Sequence, residues 1–372
     1  MIIDGVRDFA RGEIAPLARE MDEQARIPEA ILEQMRALGL FGIQVPEAYE
    51  GLGLDSRVYA AIIEEISSVC AGIGILLSVH SSVAAYPLTA FGTEEQRRRF
   101  LPRLAAGEIG AFCLSEPDSG SDAASLKTSA RRDGDAYVLT GTKVFVSSGS
   151  LASLYLVMAR TDPDPALRHR GISAFLVERD APGLIVGRKE DKMGMRADDT
   201  TEIFLEDCRV PAANRLGAEG QGFHVAMKAL DNGRIGVGAQ AVGIARAALE
   251  EALSYARTRY QFGFPLVHFE AIQGKLAEMA TRIEAARLLV HQAAWMKDQG
   301  KPYKRQAAMA KLAASESANW VTHQALQIHG GYGYMKEYAV ERYYRDARVT
   351  EIYEGTSEMQ RLVIARSLLR DE

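Results

Sequence analysis

Near the end of the 372-residue chain, the run TEIYEGTSEMQR sets Glu354 between Tyr353 and Gly355. Ser357 with Gln360 three residues later fits a capping box, and Met359, Leu362, Val363 and Leu369 recur at helical spacing. Glu354 is then either a solvated carboxylate ahead of a helix cap or a base placed on a turn loosened by Gly355. Other stretches carry chemistry of the same open kind. SEPDSGSD, Ser115–Asp122, is a polar turn or a set of N–H and hydroxyl groups aimed at an anion such as a pyrophosphate. In ALDNGRIG, Asp231 and Arg234 stand one helical turn apart. Gly233 between them costs about 1 kcal/mol relative to Ala, which suggests a side chain omitted to leave room. RYQFG, Arg259–Gly263, leaves a helix with a guanidinium that suits phosphate or a salt-bridged helix end. QIHGGYGY, Gln327–Tyr334, ends a helix with Gly330 and Gly331, a plain stop or a point where a ligand comes close. GAEGQG, Gly217–Gly222, lacks the G-x-G-x-x-G order of a dinucleotide loop and reads as a flexible interdomain link.

The elements that must position these residues fall into three regions. Residues 1–108 read as helical: Gly39 is a helix stop and Thr93 an N-cap. Residues 109–215 change to short β-rich runs (AYVLTGTKVFV, LYLVMAR, ISAFLVE, LIVGRK, TEIFLEDCRV) separated by turns such as Asp133-Gly134-Asp135 and Pro182-Gly183. No long helical pattern interrupts them, so an antiparallel sheet or barrel is expected rather than a doubly wound unit. Residues 216–372 return to helices at 223–259, 269–299, 303–329 and the closing segment, a four-helix bundle. The fold class expected is mainly α with a central β-domain.

A net charge of −5 gives no reason to expect nucleic-acid binding, and the basic run Arg97–Arg99 reads as one helix face. Three widely spaced cysteines, Cys70, Cys113 and Cys208, build neither a disulfide framework nor a zinc site and suit a reducing compartment. The histidines form no metal-binding pair, so no metal is expected. The first residues are neither a signal nor a transit peptide, from which a cytoplasmic location is expected. From Ile66 to Thr93 there is no Asp, Glu, Lys or Arg, yet glycines, serines and Pro87 there favour a buried helix beside a cavity over a membrane span. No stable membrane association is expected.

SEPDSGSD, KVFVSSG, DNGRIG, RYQFG, QIHGGYGY and ERYYRDARVTEIYEGTSE, in that order, resemble the acyl-CoA dehydrogenase family of flavoproteins over essentially the whole chain. DNGRIG and EIYEGTSEMQRLVIA look closest to the short-chain, butyryl-CoA type. The resemblance implies an FAD enzyme that converts an acyl-CoA thioester to the trans-2-enoyl thioester in fatty-acid β-oxidation. Glu354 matches the catalytic base, which some members carry instead at the position of Gly233. Phe112, Leu114, Ser115, Gly120, Ser121, Phe145, Val146 and Ser147 match segments that hold the flavin and its pyrophosphate. Arg259, Gln261 and Phe262 match groups reaching the FAD of a neighbouring subunit. Gln327, Gly330 and Gly331 match another flavin-contacting stretch, and Thr356, Ser357 and Glu358 contacts near its adenine side. Ser121, Asp231, Arg234 and Gly355 match substrate contacts. Two positions depart from the family: Phe145 replaces a Trp and Glu270 a Gln. The resemblance further implies an electron-transferring flavoprotein as acceptor and a homotetramer, a dimer of dimers. Alternatives on the same fold are an acyl-CoA oxidase, a nitroalkane-oxidising relative or a non-catalytic acyl-CoA-binding protein. Acyl chain length stays open.

Overall fold

The computed structural model describes residues 2–369. The N-terminal region holds α1 (Ile2–Phe9), α2 (Ala18–Gln24), α3 (Glu29–Ala37), α4 (Ser56–Val69), α5 (Ala71–Val79), α6 (Tyr86–Phe91) and α7 (Glu94–Ala105). Gly39 takes φ 68° just past α3, and Thr93 caps α7 in a capping box with Gln96, both as the sequence reads. The uncharged run divides into α5, a π-helical turn at His80–Ala85 and α6. Its 71–91 stretch is long and apolar enough to cross a membrane, and its most apolar 18-residue window is 94% buried inside the protein.

The middle region is a mixed sheet of β1 (Ile109–Cys113), β2 (Ser129–Asp133), β3 (Ala136–Ser147), β4 (Ala152–Arg160), β5 (Ile172–Glu178), β6 (Leu184–Lys189), β7 (Thr200–Pro211) and β8 (Arg215–Leu216). The order is β6-β7-β3-β2-β4-β5-β8, with β1 beside β4. This corrects the antiparallel, barrel-like expectation. The sheet stays open, and β1 and β2 each pair with β4 in parallel. The reason lies in two strands that the β-rich runs did not flag. The polar SARRD becomes β2 by hairpin pairing with β3, and IGAFC becomes β1 at the domain boundary, running alongside β4. β4 and β5 are buried along nearly their whole length, which explains their unbroken apolar sequences.

The C-terminal region comprises α8 (Gly222–Thr258), α9 (Glu270–Asp298), α10 (Lys304–His329), α11 (Val340–Arg348) and α12 (Ser357–Leu369). α8 is the axis of the molecule and packs on α4, α9 and α10. Small residues permit the approach: a Cβ on Gly243 would lie 2.4 Å from the Glu64 carbonyl. Charges also lock the layers. Glu65 accepts from Arg7 and Arg246, at 2.9 and 2.8 Å, and Glu64 from Arg287 at 3.0 Å. The Gly217–Gly222 link is tethered rather than flexible: Gly220 N–H donates to Ser173 Oγ at 2.9 Å, and Tyr137 donates to Glu219 at 2.6 Å.

Candidate active site

Glu354 sits on a left-handed turn between α11 and α12. Its φ is 51° and that of Gly355 is 93°, a strain of about 1–3 kcal/mol for a non-glycine residue. Two side chains hold the turn. Gln360 Nε2 donates to the carbonyls of Glu354 and Gly355 at 3.3 and 2.7 Å, and Lys311 Nζ to that of Gly355 at 2.9 Å. The capping expectation is corrected here. Thr356, not Ser357, caps α12, its Oγ1 accepting from Met359 N–H at 3.3 Å. Gln360 is drawn away from the cap because the strained turn exposes two carbonyls to it.

The turn drives the Glu354 side chain inward. Both carboxylate oxygens are shut off from solvent and, among the described residues, have no hydrogen-bond partner. They face α8 at Gly233, where an added Cβ would lie 1.9 Å from Oε2. The glycine is therefore the space that the carboxylate fills. Burial pushes the Glu354 carboxyl up to about 7, tempered by the positive charges of Lys311 and Arg234. Lys311 is itself fully buried on α10, and burial holds its ammonium down to about 8. Arg234 Nη1 donates to Asp231 at 2.6 Å, a buried pair one turn along α8.

One turn past Gly233, about 4.5 Å along the helix axis, a Cβ on Gly236 would lie 2.3 Å from Ser78 Oγ and 2.4 Å from Tyr59 Oη. Tyr59 donates to Ser78 at 3.3 Å, and both are fully buried. α8 thus presents two glycines on one face, the first opposite Glu354 and the second opposite a polar end wall.

The polar turn after β1 is built around Glu116. This buried carboxylate accepts from the N–H groups of Lys127 and Thr128, at 2.6 and 3.0 Å, and from Lys143 Nζ at 2.7 Å. With both carboxylate oxygens so engaged, the loop outside it is free to present its own groups. Gly120 and Ser121 are exposed, Ser115 and Phe112 half-buried and Leu114 buried. On β3, a register shift between Lys143 and Val146 coincides with φ 57° at Phe145. Phe145 is 75% exposed, Val146 is buried and Ser147 half-buried. Behind them, Ser148 Oγ donates to the buried Asp198 at 2.7 Å.

The structure does not bring every expected residue to Glu354. Arg259 follows the last residue of α8, 26 positions beyond Gly233, about 39 Å along the helix. Its guanidinium lies 5.3 Å over the Tyr332 ring, which puts it beside the Gln327–Gly331 stretch. Gln261, Gln327, Gly330 and Gly331 are exposed, and Phe262 is 91% exposed. Among the described residues, and apart from their immediate chain neighbours, nothing lies within 4 Å of a Cβ added at Gly330 or Gly331. Thr356 is half-buried, Ser357 buried and Glu358 exposed on the first turn of α12. Glu270 is exposed in the first turn of α9. Lys311, Tyr59, Ser78, Glu116 and Lys143 escaped the sequence reading. The one legible signal was Lys311, a lone cation in the small-residue line AAMAKLAAS.

Family models for the N-terminal, middle and C-terminal domains of acyl-CoA dehydrogenase match residues 1–108, 111–208 and 220–369. The chain is 50% identical over 371 residues to the mitochondrial short-chain specific acyl-CoA dehydrogenase of Bos taurus, covering 100% of this chain and 90% of that one. Among solved structures, the butyryl-CoA dehydrogenase of Megasphaera elsdenii superposes with a TM-score of 0.97 at 44% identity, over 99% of this chain and 97% of that one. A chain solved in work on the electron transferring flavoprotein of Acidaminococcus fermentans gives 0.98 at 47% identity, over 100% and 97%. With a buried carboxylate facing a glycine gap and three domain models matched in order, the chain belongs to the acyl-CoA dehydrogenase family, oxidoreductases acting on the CH–CH bond of acyl-CoA, and is similar to its short-chain members.

Proposed function

We propose that the protein removes the α-proton and β-hydride of a short acyl-CoA thioester, with Glu354 as the base, FAD as the oxidant and an electron-transferring flavoprotein as the final acceptor. The observation that carries this is the Glu354 carboxylate, buried against Gly233 and, among the described residues, without a partner. A carboxylate stripped of solvent is a stronger base than one in water, and Lys311 and Arg234 keep it ionisable near neutrality. Tyr59 and Ser78, which close in on Gly236 one turn on, would limit the acyl chain to a few carbons.

The exposed residues fit a flavin. Phe145 offers an exposed apolar face, while Gly330, Gly331 and Gly120 leave room for close backbone approach. Phe112, Leu114, Ser115, Gly120, Ser121, Phe145, Val146 and Ser147 would hold the cofactor, with Thr356, Ser357 and Glu358 near its adenine side. FAD supplies the hydride acceptor when bound. The chain's own work is to orient the thioester through Ser121, Asp231, Arg234 and Gly355, to exclude water and to take up the α-proton at a Glu354 oxygen. The Glu354 backbone N–H is a fixed donor for the thioester oxygen.

The distance from Gly233 to Arg259 along α8 sets Arg259 far from this chain's own Glu354, which fits the proposed homotetramer, in which Arg259, Gln261, Phe262, Gln327, Gly330 and Gly331 would serve the flavin of a neighbouring copy. Three buried, unpaired cysteines fit a cytoplasmic setting. The test is purification with the flavin spectrum followed, then dye reduction with a panel of straight-chain acyl-CoAs. The reading expects a yellow protein with its best turnover near butyryl-CoA and the enoyl thioester as product. A colourless protein that binds butyryl-CoA unchanged would overturn it.

A further inference from the structure

A cavity of about 200 Å³ lies between the 40–54 loop, the 71–91 segment and the end of α9. None of its lining residues is among those packed round Glu354. Its lining includes the apolar Phe41, Val45 and Leu54 and the polar Ser81, Gln44 and Lys297. Ser81 is 2% exposed and, among the described residues, its Oγ has no hydrogen-bond partner. Gln44 Oε1 is likewise buried without a partner, while its Nε2 donates to Ser56 Oγ at 3.3 Å. A half-turn of that amide keeps a bond to Ser56 and aims the N–H pair at the cavity.

Lys297 is the charged member. Among the described residues it makes no ion pair or hydrogen bond, and its ammonium stands 5.0 Å from the Tyr86 ring centroid. The adjacent Asp298 is engaged elsewhere, accepting from the N–H of Ser56 at 2.8 Å. Burial brings the Lys297 ammonium down to about 8. The Asp298 charge favours the ammonium form but makes no direct pair with it, being shared with the Ser56 N–H and with Arg57 at 3.9 Å, and one ring face does not complete its coordination. Waters fit a space of this size, but they bring no negative charge and wet the apolar lining.

We infer that this cavity is a binding site for a small organic carboxylate, its head taken by the Lys297 ammonium and the Ser81 hydroxyl and its short tail by Phe41, Val45 and Leu54. The charge selects an acid over its amide. The apolar lining selects an aliphatic tail over an inorganic anion. Ser78, which closes in on Gly236, and Ser81, which lines this cavity, stand on one continuous helical stretch. A ligand here therefore leans on the stretch that, on the proposed reading, limits acyl length.

Crystals of the flavin-loaded protein soaked in 4-bromobutyrate, with anomalous data at the bromine edge, test the position. Titration calorimetry with butyrate and butyramide, the acyl slot filled by a non-reactive thioester, tests the chemistry. The expected result is bromine density in the cavity, no binding of butyramide and a butyrate Kd at least about tenfold weaker in Lys297→Met. The flavin spectrum and butyryl-CoA turnover of that variant stay unchanged. Ser81→Ala weakens butyrate in the same direction and serves if Lys297→Met fails to fold. Ordered water alone in the cavity at saturating carboxylate overturns the inference. So does equal affinity of Lys297→Met and the parent chain, or of butyramide and butyrate.

Discussion

At the scale of single residues, the site rests on a charge kept where it is costly. The Glu354 carboxyl is raised to about 7 from an ordinary 4.5. Between those values the folded chain keeps a proton that the unfolded chain has released. This group's contribution therefore falls as pH rises through that window. Under the proposed role of Glu354 as base, activity moves the other way, since a base must be ionised. Two outcomes follow. Glu354→Gln raises Tm at pH 8, by an amount set by about 1–3 kcal/mol, read by calorimetry on both proteins. Lys311→Met removes the nearer positive charge and raises the Glu354 carboxyl further, so the acid limb of the flavin-reduction rate shifts to higher pH. An unmoved limb would show that Lys311 does not act through Glu354. Gly233→Ala sets a methyl 1.9 Å from Oε2, so the carboxylate must leave its place, and turnover falls by about 10²-fold or more.

At the scale of elements, buried polar groups shape the turns that carry the chemistry. Lys143→Met leaves Glu116 charged and buried without its cation. A loss of about 3–5 kcal/mol is expected, measured by denaturant melts, together with weaker flavin retention by the Ser115–Ser121 turn. Gly236→Ala drives a methyl into the Tyr59–Ser78 wall and lowers turnover of hexanoyl-CoA more than that of butyryl-CoA, by about tenfold. Much of this level was legible in the sequence. Helix stops and caps at Gly39 and Thr93 are local chemistry, and the five apolar or alternating strands declare themselves by pattern. β2 did not, because SARRD gains its strand character only from pairing with β3. The open, mixed character of the sheet was hidden for the same reason: strand direction is a long-range property. The cap of α12 was misread by one residue because Gln360 answers to the strained turn rather than to the cap. Glu354 itself was legible only through its motif. Its burial depends on Gly233, 121 positions earlier in the chain.

At the scale of the whole molecule, α8 links two ends that one chain does not use together. Gly233 and Arg259 stand about 39 Å apart along it, and on the proposed reading the groups at the far end would serve the flavin of another copy. Arg259→Gln therefore loses flavin on dilution while Glu354 and its slot stay intact, seen as flavin release in sedimentation velocity. A fully active monomer that retains its flavin would remove the cross-subunit role. The central claim, that the Glu354 carboxylate takes the α-proton, is tested most directly by anaerobic stopped flow with butyryl-CoA. The Glu354→Gln protein should bind FAD normally and show essentially no bleaching of the flavin band. Bleaching at a near-parental rate in that variant would contradict the account.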